Sequence, residues 1–223
     1  MFKLKEIAHI LVASLVLAFA ITLLETKEMF LFILISVFII ILINILVKKI
    51  TAYYLESEIE TRLWEIESMG LLGALTGGAV HPSQKFRYPF QAGIFFPIIS
   101  KLIFFSINSF VWMAALTFDV KTKIYKSAKR HNSIYSFSEI TEYQIGVIAT
   151  MGLIANLVFA GIGYLFALPP EMNFVKLSIV YVFFNLLPLS TLDGNKIYFG
   201  NDIMWYTLEI FSLVGLGYAF FII

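Results

Sequence analysis

The sequence contains no cysteine and only three histidines among its 223 residues. The absence of cysteine excludes disulfide bonds, thiolate catalysis and cysteine-ligated zinc or iron–sulfur centres. Charged residues are also few, at 14% of the chain, against about 25% in ordinary soluble domains. The formal net charge is only +1, so the chain lacks the basic surplus with which proteins neutralise nucleic-acid phosphates. We therefore expect no nucleic-acid partner.

Apolar residues take the place of the missing polar ones. Hydrophobic residues make up 60% of the chain, with 23 phenylalanines among them, and the mean hydropathy is +0.87. A soluble globule of this length cannot bury so much apolar surface. The composition therefore predicts an all-α, polytopic integral membrane protein, with residues 1–223 forming a single membrane domain and the lipid bilayer as its surroundings.

The apolar runs predict about six membrane segments. The first contains Ala18-Phe19-Ala20, which imitates a signal-peptide cleavage site, but the run continues to a length that favours a retained span. The run 69–80 is glycine-rich and too short to cross, so we expect it to be re-entrant or packed on other helices. The predicted spans cover about 7–24, 29–47, 90–118, 145–168, 174–192 and 203–223.

Lysine and arginine set the expected orientation. They concentrate before the first span, after the second span and in the polar loop 119–143. The positive-inside rule places the N-terminus and this loop in the cytoplasm. The acidic segment 48–68 is expected to lie at the membrane interface. An even number of crossings between 48–68 and 119–143 is then required, and the sequence leaves open whether 69–80 and 90–118 both cross or both turn back.

Ionisable and amide side chains are costly in hydrocarbon, so each one inside an apolar run is a candidate site. Lys176 lies near the start of its run, where it can reach the headgroups, and lone asparagines often join neighbouring helices. Asp193 differs because a proline, two hydroxyl residues and Asp-Gly interrupt the apolar run just before and at this position. That pattern fits either a buried site or a turn at the membrane surface. The candidates are Asn44, Lys48, Lys101, Asn156, Lys176, Asn185, Asp193 and Glu209.

The residues around Asp193 resemble those of a known family. Residues 185–188 (N-L-L-P) followed by 192–194 (L-D-G) resemble the N-x-x-P…L-D-G signature of site-2 protease-like intramembrane metallopeptidases. Residues 152–156 (G-L-I-A-N) are similar to the G-P-x-x-N helix of that family, with leucine in place of proline, and the first span is similar to that of archaeal-type members. The resemblance implies a zinc site in which two histidines of an H-E-x-x-H helix and the aspartate of L-D-G bind the ion, with the glutamate as general base.

The chain has no H-E-x-x-H sequence. By segment order the motif belongs at the end of the second span, where Asn44, Ile45 and Lys48 occupy the positions of the first histidine, the glutamate and the second histidine. The other near match, K-E-I-A-H at 5–9, lies in the first span and lacks the first ligand. The favoured placement implies a degenerate member with no catalytic residue, no metal and no cofactor, although Asp193 matches a family zinc ligand.

A lone carboxylate in the membrane is costly, and Lys48 brings a positive charge to the former ligand position. We therefore predict that a Lys48–Asp193 ion pair, near Asn44, replaces the metal. The expected function is non-catalytic binding of a transmembrane helix or partner in the former substrate groove, where unwound backbone can pair with an extended peptide. The groove residues implied by the resemblance are Asn44, Lys48, Asn156, Asn185, Pro188, Asp193 and Gly194.

Two alternatives remain open from the sequence. The first is a zinc-dependent intramembrane endopeptidase with non-standard ligands, drawn from His9, Asp193 and either His81 or Glu6. His81 and His131 are otherwise expected to be ordinary loop histidines. The second alternative is a small ion-coupled transporter that uses Lys48, Lys101 and Asp193 as an ion path.

Overall fold

The computed structural model describes residues 2–23, 27–68, 85–103, 111–122, 140–166 and 173–221. Within these ranges the chain is mostly helical, with seven helices and four short strands. The helices are α1 (Leu4–Thr22), α2 (Lys27–Tyr54), α3 (Ala92–Ile103), α4 (Glu142–Leu165), α5 (Phe174–Leu186), α6 (Asp193–Gly200) and α7 (Asp202–Phe221). The strands are β1 (Ser57–Leu63), β2 (Ile66–Ser68), β3 (Lys85–Phe90) and β4 (Leu116–Thr122).

Four of these helices, α1, α2, α4 and α7, are long and apolar enough to cross a membrane. The prediction of an apolar helical membrane protein is confirmed to this extent, but six spans are not. Over the described residues the helices α3 and α5 are apolar and have 12 and 13 residues. At 1.5 Å per residue each is about 18–20 Å long, short of a hydrocarbon core of about 30 Å.

The region 90–118 differs from its prediction as one continuous span. Within the described residues helix α3 covers Ala92–Ile103, residues 111–115 have no regular structure, and Leu116–Thr122 form strand β4. An apolar run does not distinguish helix from strand, and the β-branched Thr117 and Val120 suit a strand that has a pairing partner. The strands also correct the all-α expectation. The segment 69–80 and residues 123–139 of the predicted loop lie outside the described residues.

Strand β1 pairs antiparallel with β4, with Thr61 opposite Phe118. The amide nitrogen of Thr61 donates to Glu6 Oε1 of α1 at 3.0 Å, and Nδ1 of His9 lies 3.2 Å from the Thr61 carbonyl oxygen. The Thr61 backbone groups therefore face away from β4. Because Thr61 and Phe118 form a non-hydrogen-bonded pair, the backbone groups of Phe118 and Val120 point to the outer edge of β4.

The helices pack so that four elements meet at one place. Helix α2 contacts α1, α4, α5 and β1, and α4 contacts α5 and α6. The α4–α6 approach is close, because a Cβ atom at Gly200 would lie 2.8 Å from the carbonyl oxygen of Glu142. As a result, the middle of α2, the middle of α4, the start of α6 and strand β4 surround a common buried region. Of the predicted site residues, Asn44, Lys48 and Asp193 lie there.

Candidate functional site

The ammonium of Lys48 donates a hydrogen bond to Oδ2 of Asp193. Lys48 lies on α2 and Asp193 is the first residue of α6, so the bond joins positions 145 residues apart. The side chains are only 7% and 1% exposed. The predicted Lys48–Asp193 ion pair is confirmed.

Gly152 of α4 makes room for the lysine. A Cβ atom at this position would lie 2.7 Å from both Cγ and Cε of Lys48 and 3.1 Å from Nδ2 of Asn44. Asn44 and Lys48 are four residues apart, so both lie on the face of α2 that meets α4. Asn156 lies one turn beyond Gly152 on α4 and is also buried. The glycine and asparagine of the 152–156 motif therefore face the predicted site.

The chain reversal before Asp193 is tight. Helix α5 ends at Leu186, and Pro188 and Ser190, which has φ 48°, follow before α6 begins. A Cβ atom at Gly194 would lie 1.9 Å from the Leu186 carbonyl oxygen, so only glycine fits there. The same oxygen accepts a 2.8 Å hydrogen bond from Nε1 of Trp205. The break predicted from proline and Asp-Gly thus folds over the end of α5 and buries Asp193.

A second lysine, Lys196, lies one turn after Asp193 on α6. Its ammonium donates to Oγ1 of Thr117 at 3.2 Å and to the carbonyl oxygen of Phe118. The ring centroid of Phe118 is 3.7 Å from the Lys196 nitrogen and 4.8 Å from the Lys48 nitrogen. Phe118 therefore lies against both ammonium groups.

Burial lowers the pKa of Lys196 to about 7, and the negative charge of Asp193 opposes that shift. Sequence reasoning did not select Lys196 because it follows the end of the predicted span. The available signal was its position three residues after Asp193, which places both side chains on the same face of a helix.

Several buried polar atoms in this region have no hydrogen-bond partner among the described residues. They are Oδ1 of Asp193 and both amide atoms of Asn44 and Asn156. Unpartnered polar atoms in an apolar interior cost free energy, so they are uncommon in native proteins. The site therefore has hydrogen-bonding capacity beyond the ion pair.

The remaining predicted residues are arranged differently. Nδ2 of Asn185 donates to the Tyr181 carbonyl oxygen of its own helix at 2.9 Å. Pro188 is exposed, in contrast to the other groove residues, all of which are buried. Lys101 is buried on α3, and Glu209 is half-buried on α7. The structure therefore joins Asn44, Lys48 and Asp193 in one buried site and gives Asn185 a bond within its own helix.

The donor set at Asp193 does not fit a zinc ion. Its carboxylate is bonded to the Lys48 ammonium, and the neighbouring Asn44 side chain is an amide, whereas zinc in proteins is bound by thiolate, imidazole or carboxylate groups. Glu6 binds Lys49 at 2.9 Å and the β1 backbone, and His9 also contacts β1. Over the described ranges, no group of three or more histidine, aspartate or glutamate side chains is placed to hold a metal. His81 and His131 lie outside those ranges.

Comparison with protein-family models, curated proteins and solved structures finds no match to this chain. The resemblance to site-2 protease-like proteins therefore rests on the sequence motifs alone.

Proposed function

We propose that this chain is a non-catalytic membrane protein, with a scaffold like that of site-2 proteases, that binds an unwound segment of a transmembrane partner. The observation that carries the proposal is the buried hydrogen bond from Lys48 to Asp193. In this proposal the N-terminus and the loop 119–143 lie in the cytoplasm, and the short helices α3 and α5 complete six membrane segments.

The ion pair argues against hydrolysis at this site. A divalent cation brought to Asp193 has to compete with an ammonium already bonded to the carboxylate, and the two cations repel strongly in a medium of low dielectric constant. Ile45 stands where the resemblance implies a general base, and a hydrocarbon side chain transfers no proton. Lys48 therefore supplies the charge that a metal would supply, without its chemistry.

The Val120 end of strand β4 offers a surface for the partner, because Val120 is half-buried, whereas Phe118 beside the ion pair is buried. The backbone N–H of Phe118 and both backbone groups of Val120 point to its outer edge, where no residue of the described structure hydrogen-bonds to them. The Phe118 carbonyl oxygen on this edge accepts from Lys196. An extended peptide can add to such an edge as a third strand. The outer edge of β1 is less suitable because Glu6, His9 and Lys49 already contact it.

The non-catalytic part is tested by zinc content and by cleavage of a single-span substrate in proteoliposomes. We expect wild type and Asp193→Ala to contain equally little zinc and to cleave nothing. The triple variant Asn44→His, Ile45→Glu, Lys48→His, which rebuilds H-E-x-x-H, is expected to gain stoichiometric zinc. Stoichiometric zinc in wild type that is lost in Asp193→Ala would overturn the proposal.

The binding part is tested with a synthetic single-span peptide that carries a central Gly-Pro, reconstituted with the protein. A photo-crosslinking amino acid at Val120 is expected to capture the peptide, and one at Glu58 on β1 is not. Val120→Pro removes the outward N–H of residue 120 without breaking a β1–β4 hydrogen bond. In this variant the crosslinking amino acid is placed at Lys121 instead, and it should no longer capture the peptide. Equal capture at Val120 and Glu58, or undiminished capture in Val120→Pro, would contradict binding at this edge.

Ion-coupled transport is a second candidate, favoured by the cluster of two lysines and one aspartate around Phe118. The cluster consists of Lys48, Asp193 and Lys196. In this candidate ion path Lys196 therefore takes the place that the sequence analysis gave to Lys101. Proteoliposomes with a trapped pH dye distinguish the two functions. Proton flux that is abolished by Lys196→Met would favour transport, and its absence in wild type would exclude proton transport under those conditions.

A further inference from the structure

A groove separate from the ion pair lies between α4, α5 and α7. It has a volume of about 240 Å³. Its walls are apolar and include three small residues, which keep the helices from filling the space. The wall residues are Leu157, Ala160, Gly161, Val175, Ile179 and Gly215.

One end of the groove is polar. Tyr164 lies near the end of α4 and Tyr218 near the end of α7, and the Tyr218 hydroxyl donates to the Tyr164 hydroxyl at 2.8 Å. Lys176 lies in the first turn of α5 beside Val175, with its nitrogen 4.7 Å from the ring centroid of Phe220 on α7. No carboxylate among the described residues pairs with it. A cation and two hydroxyls therefore stand where these three helix ends meet.

The groove dimensions suit one hydrocarbon chain. Leu157 and Tyr164 are seven residues apart, so the groove runs about 10 Å along α4. A transmembrane helix is about 10–12 Å across with its side chains, too wide to enter a cavity of this volume. The flanking faces are apolar and exposed, with Val158 53% and Val214 68% exposed. The groove thus lies on a face suited to contact lipid.

We propose that this groove binds a glycerophospholipid, with one acyl chain between α4 and α7 and the phosphate on Lys176 and the tyrosine hydroxyls. The apolar walls can bury methylene groups of the chain, which the hydrophobic effect favours. The ammonium and hydroxyls at the polar end supply hydrogen bonds and charge complementary to a phosphodiester. This site is independent of the proposed peptide edge on β4.

The test uses native mass spectrometry of delipidated protein titrated with palmitoyl-oleoyl-phosphatidylglycerol. Gly161→Leu places a side chain in the groove and is expected to weaken binding about tenfold, the equivalent of losing about two buried methylenes. Gly217→Leu is the matched control, because an added Cβ meets nothing within 4 Å at either glycine but only Gly161 lines the groove. The control should bind as wild type does.

The headgroup contact is tested separately. Lys176→Gln is expected to weaken binding of the phospholipid and to leave binding of palmitoyl-oleoyl-glycerol, which has the same chains without phosphate, unchanged. Equal weakening in Gly161→Leu and Gly217→Leu, or equal loss of both ligands in Lys176→Gln, would overturn the proposal. A dimer that dissociates in Gly161→Leu, without a change in lipid binding, would assign the groove to a second copy of the chain instead.

Discussion

Two groups of ion pairs in this protein use the same chemistry in opposite surroundings. In the exposed group, Glu60 of β1 accepts hydrogen bonds from Lys3 and from Lys121, whose side chains are 61% and 62% exposed. In the buried group, Lys48 and Asp193 are 7% and 1% exposed. Exposed pairs contribute about 0–1 kcal/mol, whereas removing one partner of a buried pair costs about 3–5 kcal/mol. The burial of a pair, more than its number of contacts, therefore decides how much the fold depends on it.

The largest expected effect comes from removing one charge of the buried pair. Lys48→Met and Asp193→Asn should each lower the free energy of unfolding in mixed micelles by about 3–5 kcal/mol, because each leaves an unpaired buried charge. Asp119→Asn is the control, since Asp119 pairs with Arg62 at 3.0 Å while 48% exposed. Losses no larger than that of the control would remove the contrast between the two groups.

The tight reversal that buries Asp193 is tested next. Gly194→Ala should lower the free energy of unfolding by about 1–3 kcal/mol or more, the usual range for overpacking, because the new methyl group clashes with the Leu186 carbonyl oxygen. Gly161→Ala, where an added Cβ meets nothing within 4 Å, should cost no packing energy. If Gly194→Ala proved as stable as Gly161→Ala, the reversal would not hold Asp193 in place.

Lys196 should make the free energy of unfolding depend on pH. Because its pKa is lowered from 10.5 to about 7, the unfolded chain binds more protons than the folded chain between these values. The free energy of unfolding should therefore rise with pH across this window, as the folded protein sheds the cost of the buried charge.

The measurement is unfolding in mixed micelles from about pH 6 to about pH 10. The groups that act on Lys196 are Asp193, Lys48, Asp119 and Arg62, so Lys196→Met isolates its share of the slope. That variant should be flatter than wild type, and an unchanged slope would show that another group titrates.

The smallest expected effect belongs to the exposed group. The hydrogen bonds from Lys121 and Lys3 lower the pKa of Glu60 from 4.5 to about 2, so its contribution is present above pH 4.5 and is lost as the pH falls towards 2. At neutral pH, Glu60→Gln should have a slight effect at low salt that disappears at high salt, since solvent ions screen exposed charges. Salt should leave the effect of Asp193→Asn nearly unchanged, and equal salt sensitivity would contradict the comparison.

The parts of the site that could be predicted from sequence are the charged residues and the long apolar helices, because a membrane permits few arrangements of either. A lysine and an aspartate inside apolar runs are each costly alone. The resemblance to site-2 protease-like proteins implied that Lys48 and Asp193 share one site, and the two arguments together predicted their pairing. The long apolar runs likewise predicted the helices α1, α2, α4 and α7, which are long enough to cross. The break before Asp193 followed from proline and Asp-Gly.

The parts that could not be predicted depend on distant partners. Strand β4 forms opposite β1, whose residues lie more than fifty positions earlier, and an apolar run carries no signal of that pairing. Lys196 contacts Phe118, 78 residues away, so its role appeared only once β4 had a position. The fit of Gly152 against Lys48 likewise requires the α2–α4 packing to be known.

The most direct measurement is a double-mutant cycle on Lys48 and Asp193, with Lys48→Met, Asp193→Leu and the double variant unfolded in the same micelles. If the ammonium and the carboxylate neutralise each other in the buried site, the double variant loses less stability than the sum of the single losses, with a coupling energy of about 3 kcal/mol, the upper end for contacting residues. Additive losses would show that the two charges do not depend on each other, and would contradict the proposal that Lys48 neutralises Asp193 in the buried site.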